Sequence, residues 1–530
     1  MENRKLVLVA MIFAVAMMFI DQTIVALAVP ELQRDLGVTS TGAQWIINGY
    51  LLALSALFAL GGKLADVLGH RRMVIAGVAG FALFSALCGA TPTGSIGEAW
   101  MIVFRVLQGA SAALLFPAAL AIVVSAYPLR ERGKALAIFF AASGGLTAVG
   151  PLAGGYLTEW TWRAIFWINI PVAIVAIVLT LRANPPEAKR VVPIDWRGAV
   201  IVSAGMGLAV LGLQQAGVWG WDDLRTWACI VAGLALLAWF VVDQLRTSDP
   251  LIDVRIFAQR AFAADNAVLF LISAAFVPLF FFASVYAQAS LGYSASEAGL
   301  FLLVFFGGFA TAAQWGGRIL DARGARPAVV LGCAMAAVGF WLWGSQLPDL
   351  DFGNQWYWLA LAGAGMGMVL GPVSTDAVNR APRASYGEVT GITQTVRNFG
   401  ASLGLAVLGS LLVTENVRRV DETLTSRGLP ADQADRIAHA MTSTSGAGSG
   451  GGEALGGAGT AAGEAARAIY SAVQVDVAES TRTVVYLMAA LMALAFLLAV
   501  TRMPAGRVEE LPVVEPGETA ETGASANVPL

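Results

Sequence analysis

The chain has 530 residues, of which 57% are hydrophobic and only 13% are charged. Ordinary soluble domains contain about 25% charged residues, so a soluble fold would not hide this much apolar surface. The net charge of −3 and the lack of a long basic stretch argue against a nucleic-acid partner. The composition therefore predicts a protein that lies in a lipid bilayer.

Fourteen apolar runs are each about long enough to cross a bilayer, at roughly 20 residues per helix. The first run follows Arg4 and Lys5 and has the pattern of a signal peptide, but the thirteen later runs favour a retained first helix. The expected fold class is an all-α integral membrane protein. We predict spans at residues 6–28, 45–65, 73–92, 98–125, 134–157, 164–182, 197–215, 226–245, 262–287, 297–317, 327–345, 355–379, 389–413 and 482–501.

Basic residues indicate the orientation of these spans, because loops rich in Lys and Arg stay in the cytoplasm. With the N-terminus inside, the short outer loops contain only Arg34, Arg163 and Arg225 as basic residues. The inner loops and tails then hold most of the others. We therefore predict a multi-pass protein of the cytoplasmic membrane with both termini in the cytoplasm.

A charged phrase occurs twice, after the second and the tenth spans. It reads GKLADVLGHR from Gly62 and GRILDARGAR from Gly317, so the copies are 255 positions apart and share Gly, a basic residue, Asp, Gly and Arg at the same offsets. Many transporters consist of duplicated halves that build a substrate site at the bilayer midplane. The repeat therefore predicts a transporter.

The repeated phrase has a physical role at a cytoplasmic gate. Glycine permits tight turns and close helix contact, and we expect Asp66 to pair with Arg71, with Arg72 or with a neighbouring helix N-terminus. The alternative is that basic loops only fix topology, which would not explain the repeated Asp. The predicted gate residues are Gly62, Asp66, Gly69, Arg71, Arg72, Asp321 and Arg326.

The repeat offset also predicts the domain organisation. Residues 1–190 form an N-terminal half of six helices, 191–250 add two transmembrane helices, and 251–505 form a C-terminal half of six. The last half includes an outer loop, 414–481, with a helix-permissive part followed by a Gly/Ser/Ala-rich part that we expect to be flexible. The acidic tail 506–530 is expected to be disordered in the cytoplasm.

Five phrases in chain order resemble those of the major facilitator superfamily, and specifically its branch of 14-span drug:proton antiporters. They are Asp21-Gln22-Thr23 through Pro30, the loop from Gly62 to Arg72, Arg105-Val106-Leu107-Gln108-Gly109, Gly150-Pro151-Leu152-Ala153-Gly154-Gly155, and Trp162-Arg163 through Pro171. The resemblance covers nearly the whole chain. It implies the major facilitator fold, with two six-helix halves that expose a central site alternately to either side.

The resemblance also implies a function. A protein of this branch exports amphipathic drugs, dyes or antibiotics in exchange for protons, works as a monomer and needs no cofactor beyond the proton gradient. The phrase with Gly150, Pro151, Gly154 and Gly155 is similar to the signature of such exporters, although small-residue packing around a proline kink is an equal alternative. Transport of a lipid or another endogenous metabolite, and a non-transporting sensor or scaffold, remain alternatives.

Asp21 is the residue best suited to take and release a proton inside the membrane. It follows fifteen apolar or small residues and lies about 8 residues, roughly 12 Å, from the outer end of its span. A carboxylate at membrane depth costs on the order of 2.5–3.5 kcal/mol, so we expect it to face a cavity and to have a partner. Arg105, at matching depth in the fourth span, is the predicted partner. A permanent structural ion pair is the alternative.

Other polar and aromatic residues of the spans are weaker candidates. We expect Asp376 and Arg397 to form a second charged pair nearer the cytoplasm, and Asp265 to begin the ninth span. For each of them, a structural or gate role is favoured over the role of proton carrier. The candidates for the substrate cavity are Asn48, Gln108, Gln314, Gln394 and Asn398 for hydrogen bonds, and Phe270 and Phe276 for aromatic surface.

An enzyme is not expected. The two histidines, His70 and His439, lie in loops, and the three cysteines lie far apart inside apolar runs, without the spacing of a metal site or a disulfide. A sensor derived from an inactive transporter would be expected to lose Asp21 and Arg105, and both are present.

Overall fold

The helices follow the predicted apolar runs closely. The computed structural model describes residues 2–127, 149–185, 193–380, 386–427, 430–434 and 461–506, together with single positions at 438 and between 135 and 147. The described helices are α1 (Glu2–Leu36), α2 (Ser40–Leu68), α3 (His70–Gly89), α4 (Gly97–Ala126), α5 (Val149–Trp160), α6 (Ala164–Trp167), α7 (Asn169–Ala183), α8 (Trp196–Trp219), α9 (Leu224–Arg246), α10 (Arg260–Ala289), α11 (Ala295–Arg323), α12 (Ala325–Gln346), α13 (Trp356–Asn379), α14 (Tyr386–Ser426) and α15 (Ala461–Arg502).

Within the described residues, thirteen helical segments are long and apolar enough to cross a membrane, with α6 and α7 together forming one of them. The remaining predicted span, 134–157, is the fifth in chain order and is represented by α5 and by single helical positions from 135 to 147. No strand occurs in this part of the chain. The protein is thus an all-α, multi-pass membrane protein, as the composition predicted.

Polar side chains between the apolar runs begin several of the helices. The hydroxyl of Thr39 accepts a hydrogen bond from the Gly42 amide at 2.9 Å, and the Asp195 carboxylate accepts one from the Gly198 amide at 2.8 Å. Ser294 and Glu297 form a capping box at the start of α11. These contacts satisfy amide groups that have no partner within a helix, and they fix where each span begins.

The last two helices are longer than predicted. α14 continues from the predicted end at 413 to Ser426, and α15 begins at Ala461 instead of 482, so much of the expected outer loop 414–481 is helical. Ion pairs along the extended surfaces explain the difference, because Arg418 binds Glu415 and Glu422 on its own helix, while Arg419 reaches Glu479 on α15 at 2.9 Å. Most of the Gly/Ser/Ala-rich part and the tail from 507 lie outside the described residues.

The two copies of the charged phrase have the same backbone turn in the structure. Gly69 and Gly324, at equivalent positions, form one-residue turns between α2 and α3 and between α11 and α12, with φ of 103° and 86°. Residues with a side chain rarely adopt such positive φ values, so glycine is required at both turns. This confirms that the repeated phrase contains a tight turn.

The first glycine of each copy, Gly62 or Gly317, does not contact a neighbouring helix backbone. A Cβ atom at Gly62 would only touch Pro117, and one at Gly317 would meet open space, whereas the preceding residue in each copy faces a neighbouring backbone. A Cβ atom at Gly61 would overlap the Ala113 carbonyl, and one at Gly316 would lie 2.6 Å from the Met368 carbonyl. The close helix contact therefore belongs to Gly61 and Gly316, which point towards α4 and α13.

Helices from the two copies of the repeat meet at the end of the bundle that contains Asp35, Glu98 and Ser294, which we call the outer end after the predicted topology. A Cβ atom at Gly155 of α5 would lie 2.8 Å from the Ala295 carbonyl of α11, and Gln288 donates a hydrogen bond to the Leu27 carbonyl at 3.2 Å. The first and second copies are thus in direct contact at the outer end.

Candidate functional site

Asp21 lies in the middle of α1 and is almost fully buried, with 1% of its surface exposed. We expected a carboxylate that faces a cavity and has a partner. The partner is present, but the side chain has no open face in this conformation. A proton therefore reaches Asp21 only when the helices around it move.

Arg105 of α4 is the residue that binds Asp21. Its Nη1 atom donates to Asp21 Oδ2 at 2.7 Å and to Gln108 Oε1 at 2.7 Å, and its Nε atom donates to the Ile46 carbonyl at 2.9 Å. Gln108 Nε2 donates in turn to the second Asp21 oxygen at 3.1 Å. One guanidinium and one carboxylate thus balance each other in a network that uses both carboxylate oxygens.

Aromatic rings complete the enclosure of the charged pair. The Arg105 guanidinium lies 4.5 Å from the centroid of the Tyr50 ring and 5.9 Å from that of Phe166. Such contacts stabilise a desolvated cation by about 2 kcal/mol. The Tyr50 hydroxyl has no hydrogen-bond partner within the described part of the chain. Sequence reasoning missed Tyr50, although an aromatic residue at the depth of a buried Arg is a usable signal.

Three predicted cavity residues are occupied by contacts within the protein. Gln108 belongs to the charged network, and Asn48 hydrogen-bonds with Gln214 of α8 and with Ser402 of α14. Phe276, with 3% of its surface exposed, packs between α10 and α11 in a cluster of aromatic rings. These side chains hold helices together in this conformation, and none presents a free surface.

The other predicted cavity residues have different surroundings. Gln314 is exposed on α11, and Phe270 is half-buried against Phe399, with ring centroids 6.3 Å apart. Gln394 is half-buried and Asn398 is buried on α14.

The second charged pair differs from the predicted one. Asp376 binds Arg380, which lies one turn later at the end of α13, with 2.7 Å between Arg380 Nε and Asp376 Oδ2. Asp265 lies close enough to Asp376 for the two carboxyl groups to interact, and neither Asp265 oxygen has a hydrogen-bond partner among the described residues. Arg397 takes no part in this cluster; its guanidinium lies 6.0 Å from the Phe19 ring centroid.

The charged phrase after α2 also has a partner that differs from the prediction. Asp66 Oδ1 lies 3.0 Å from His70 Nε2 across the Gly69 turn, and the Arg71 guanidinium donates to Asn184. The second copy has Ala325 at the position of His70; Asp321 is exposed there, and Arg326 donates to the Val500 carbonyl. The Asp contact is therefore specific to the first copy.

The outer contact includes the carboxylate of Glu159. Glu159 at the end of α5 accepts hydrogen bonds from the amide and the hydroxyl of Ser296 on α11. These hydrogen bonds lower the pKa of the Glu159 carboxyl. A lowered pKa means that the contact is strongest when Glu159 is ionised and weakens as the pH falls towards and below its pKa.

The glycines of the α5 phrase hold this helix against both copies. Cβ atoms at Gly150 and Gly154 would collide with Thr23 and Ile24 of α1, and Gly299 of α11 packs against the Pro151 carbonyl. The Thr23 hydroxyl donates to the Thr147 carbonyl at 3.0 Å. Small residues are therefore required here for close helix contact, whatever further role the phrase has.

A duplicated bundle of membrane-spanning helices with a buried ion pair at its centre defines a membrane transporter. The family model described as Major Facilitator Superfamily matches residues 11–405. The chain belongs to the Major Facilitator Superfamily.

Relatives with assigned names are similar over most of their length. The tetracenomycin C resistance and export protein of Streptomyces glaucescens is 35% identical over 410 residues, which cover 77% of this chain and 76% of that protein. The puromycin resistance protein of Streptomyces alboniger is 32% identical over 443 residues, with coverage of 82% and 86%.

Solved structures show the same fold at low sequence identity. A bacterial homolog of the human lysosomal transporter Spinster, in an inward-facing and unoccupied conformation, aligns with a TM-score of 0.57 and 16% identity over 95% of this chain and 98% of that chain. A proton:xylose symporter aligns with a TM-score of 0.56 and 13% identity over 96% and 97%.

Proposed function

We propose that this protein exports small amphipathic compounds, including antibiotics, across the cytoplasmic membrane in exchange for protons. The relatives named for resistance and export support the substrate class and the direction. The buried pair of Asp21 and Arg105 supports proton coupling. No other carboxylate in the described part of the chain lies at the centre of the bundle with its charge balanced by a single Arg.

The proposed cycle links the protonation of Asp21 to the position of the helices. While Asp21 is ionised, it holds α1 against α4 through Arg105 and Gln108. Protonation removes the negative charge and weakens the charge-assisted hydrogen bonds, which are about twice as strong as neutral ones. If substrate and proton favour different states of the bundle, each one drives the release of the other.

The conformation described here fits one stage of this cycle. The two copies of the repeat touch at the outer end, and Asp21 is sealed from solvent. We propose that loading a proton from outside requires the contact of α5 with α11 to open. We further propose that residues 1–190 and 251–505 move as the two halves, with 191–250 beside them, and that a monomer is sufficient.

Transport in proteoliposomes tests the proposal. Purified protein should move an amphipathic fluorescent dye against its concentration gradient when a pH gradient is imposed, and an ionophore that dissipates the pH gradient should stop the movement. Dye movement that is unaffected by the ionophore would remove proton exchange from the proposal. Empty liposomes in the same gradient are the control.

The proposed orientation predicts which loops react from outside. In a variant without Cys88, Cys229 and Cys333, a single cysteine at Asn354 should react with a membrane-impermeant thiol reagent added to intact cells. A cysteine at Ala322 should react only after the cells are opened. Both positions are exposed in the structure, so a difference reports sidedness and not burial. The reverse pattern would invert the topology.

The Asp66 contact predicts a gate effect that is specific to the first copy. The variant Asp66→Asn keeps the side-chain volume but removes a charged contact with His70, which is worth up to about 1 kcal/mol because the Asp66 side chain is 41% exposed. Transport should fall by about fivefold, since 1.4 kcal/mol corresponds to a factor of ten, while the protein still inserts. Asp321→Asn is the matched control and should have a smaller effect. Equal rates for Asp66→Asn and the wild type would leave the phrase with a role in topology alone.

A further inference from the structure

Arg397 is a cation inside the membrane that has no ion-pair partner among the described residues. It lies within the spanning part of α14, about 8 residues from the start of the predicted span at 389. Its guanidinium carbon lies 6.0 Å from the centroid of the Phe19 ring of α1. Among the residues that the structure describes, Arg397 has no ion pair and no hydrogen bond.

The acidic residues described in the surrounding spans do not bind Arg397. Asp21 is held by Arg105 and Gln108, and Asp376 is held by Arg380, with Asp265 beside it. The sequence from Gly133 to Ala148, which the structure describes only at single positions, contains no Asp or Glu. Arg397 therefore keeps its hydrogen-bond donors, because no acidic side chain in the described part of the chain pairs with it.

An arginine in this position is costly unless something compensates its charge. A charged side chain at membrane depth costs at least about 2.5–3.5 kcal/mol, and such residues face a water-filled cavity or a partner. Arg397 is half-buried and is not enclosed by a network like that of Arg105. The position is thus that of a binding group and not of a structural ion pair.

The surroundings of Arg397 suit an aromatic molecule. Gln394 lies three residues before Arg397, on the same face of α14, and offers an amide. The Phe19 ring, on α1, belongs to a packed aromatic cluster with Phe116 of α4 and Phe58 of α2, with successive centroids 6.0 Å and 5.6 Å apart. A cation and an amide of α14 thus lie beside an aromatic cluster, of which Phe19 is the ring near the guanidinium.

We propose that Arg397 binds an acidic group of the substrate, so that the exported compounds include aromatic organic acids. A guanidinium presents up to five N–H donors in one plane and binds carboxylates through paired hydrogen bonds, and the Phe19 ring beside it would stack on the aromatic frame once the helices around it open. This inference rests on the proposed export function and names a substrate class for it.

Two dyes with the same xanthene frame test the inference. Carboxyfluorescein is an anion and rhodamine 6G is a cation, and transport of both is measured in proteoliposomes with the wild type, Arg397→Gln and Arg397→Lys. Arg397→Gln should reduce carboxyfluorescein transport by at least tenfold, which is the effect expected from the loss of one charged hydrogen bond. The same variant should change rhodamine 6G transport by less than about twofold. Arg397→Lys should retain part of the anion transport, because it keeps the charge but not the paired geometry.

The outcomes separate the inference from the function on which it rests. The inference would be overturned if Arg397→Gln lost transport of both dyes equally. It would also be overturned if the wild type transported rhodamine 6G but not carboxyfluorescein. Either result would leave the proposed export function intact. Failure of the wild type to move either dye would count against the proposed function instead. Binding to the wild type gives a test that needs no variant: pyrenebutyric acid should bind to the purified protein at least tenfold more tightly than its methyl ester, and equal affinity would overturn the inference.

Discussion

Replacement of Asp21 with Asn should reduce proton-driven export to the level of empty liposomes while the protein still folds. Asn has nearly the same shape, and its amide oxygen can still accept from Arg105, which also keeps its contacts with the Ile46 carbonyl and the Tyr50 ring. The amide cannot take or release a proton, so an imposed pH gradient has no group on which to act. Movement of substrate down its own gradient should persist.

Two measurements check this result. In everted vesicles, dye accumulation under an imposed pH gradient should vanish in Asp21→Asn, and substrate-induced proton release from the detergent-purified protein should vanish with it. Asp376→Asn is the matched control, because Asp376 is also buried and paired with an Arg but lies near the end of its helix and not at the centre of the bundle. If Asp21→Asn exports at the wild-type rate, the coupling site lies elsewhere, and Asp265 and Asp376 are the next residues to replace.

The sequence was sufficient to predict the contact between Asp21 and Arg105, because depth in a membrane follows directly from residue number. Each residue of a helix adds about 1.5 Å, and the apolar runs show where each span begins. The repeat likewise predicted the turns at Gly69 and Gly324. These features depend on position along a helix axis, and that position follows from residue number.

Features that depend on rotation around a helix were harder to predict. The sequence alone did not indicate that Asn48 faces Gln214 and Ser402, or that Gly61 and not Gly62 meets α4, because both depend on which neighbour each face meets. The pair of Asp376 and Arg380 is different. Residues four apart on a helix are neighbours, so their spacing alone was a usable signal for this pair.

Replacement of Arg105 is expected to have the largest effect on stability. Arg105→Gln leaves the Asp21 carboxylate with Gln108 as its remaining hydrogen-bond donor in a site with 1% exposure. Removal of one partner from a buried ion pair typically destabilises a protein by about 3–5 kcal/mol, because the other charge stays buried without compensation. The fraction of purified protein that stays monodisperse after heating should therefore drop sharply, and by more than in Asp21→Asn, which keeps an acceptor for Arg105.

The double variant Asp21→Asn with Arg105→Gln separates the charge from the packing. Both charges are then absent, and two amides can hydrogen-bond in the same space, so the double variant should recover much of the thermal stability that Arg105→Gln loses. Residues in direct contact show such non-additive effects, of about 0.5–3 kcal/mol. Proton-driven export should stay absent, because the titrating carboxylate is gone. A double variant as unstable as the sum of the two single ones would show that Arg105 stabilises the bundle through Tyr50 and the Ile46 carbonyl, independently of Asp21.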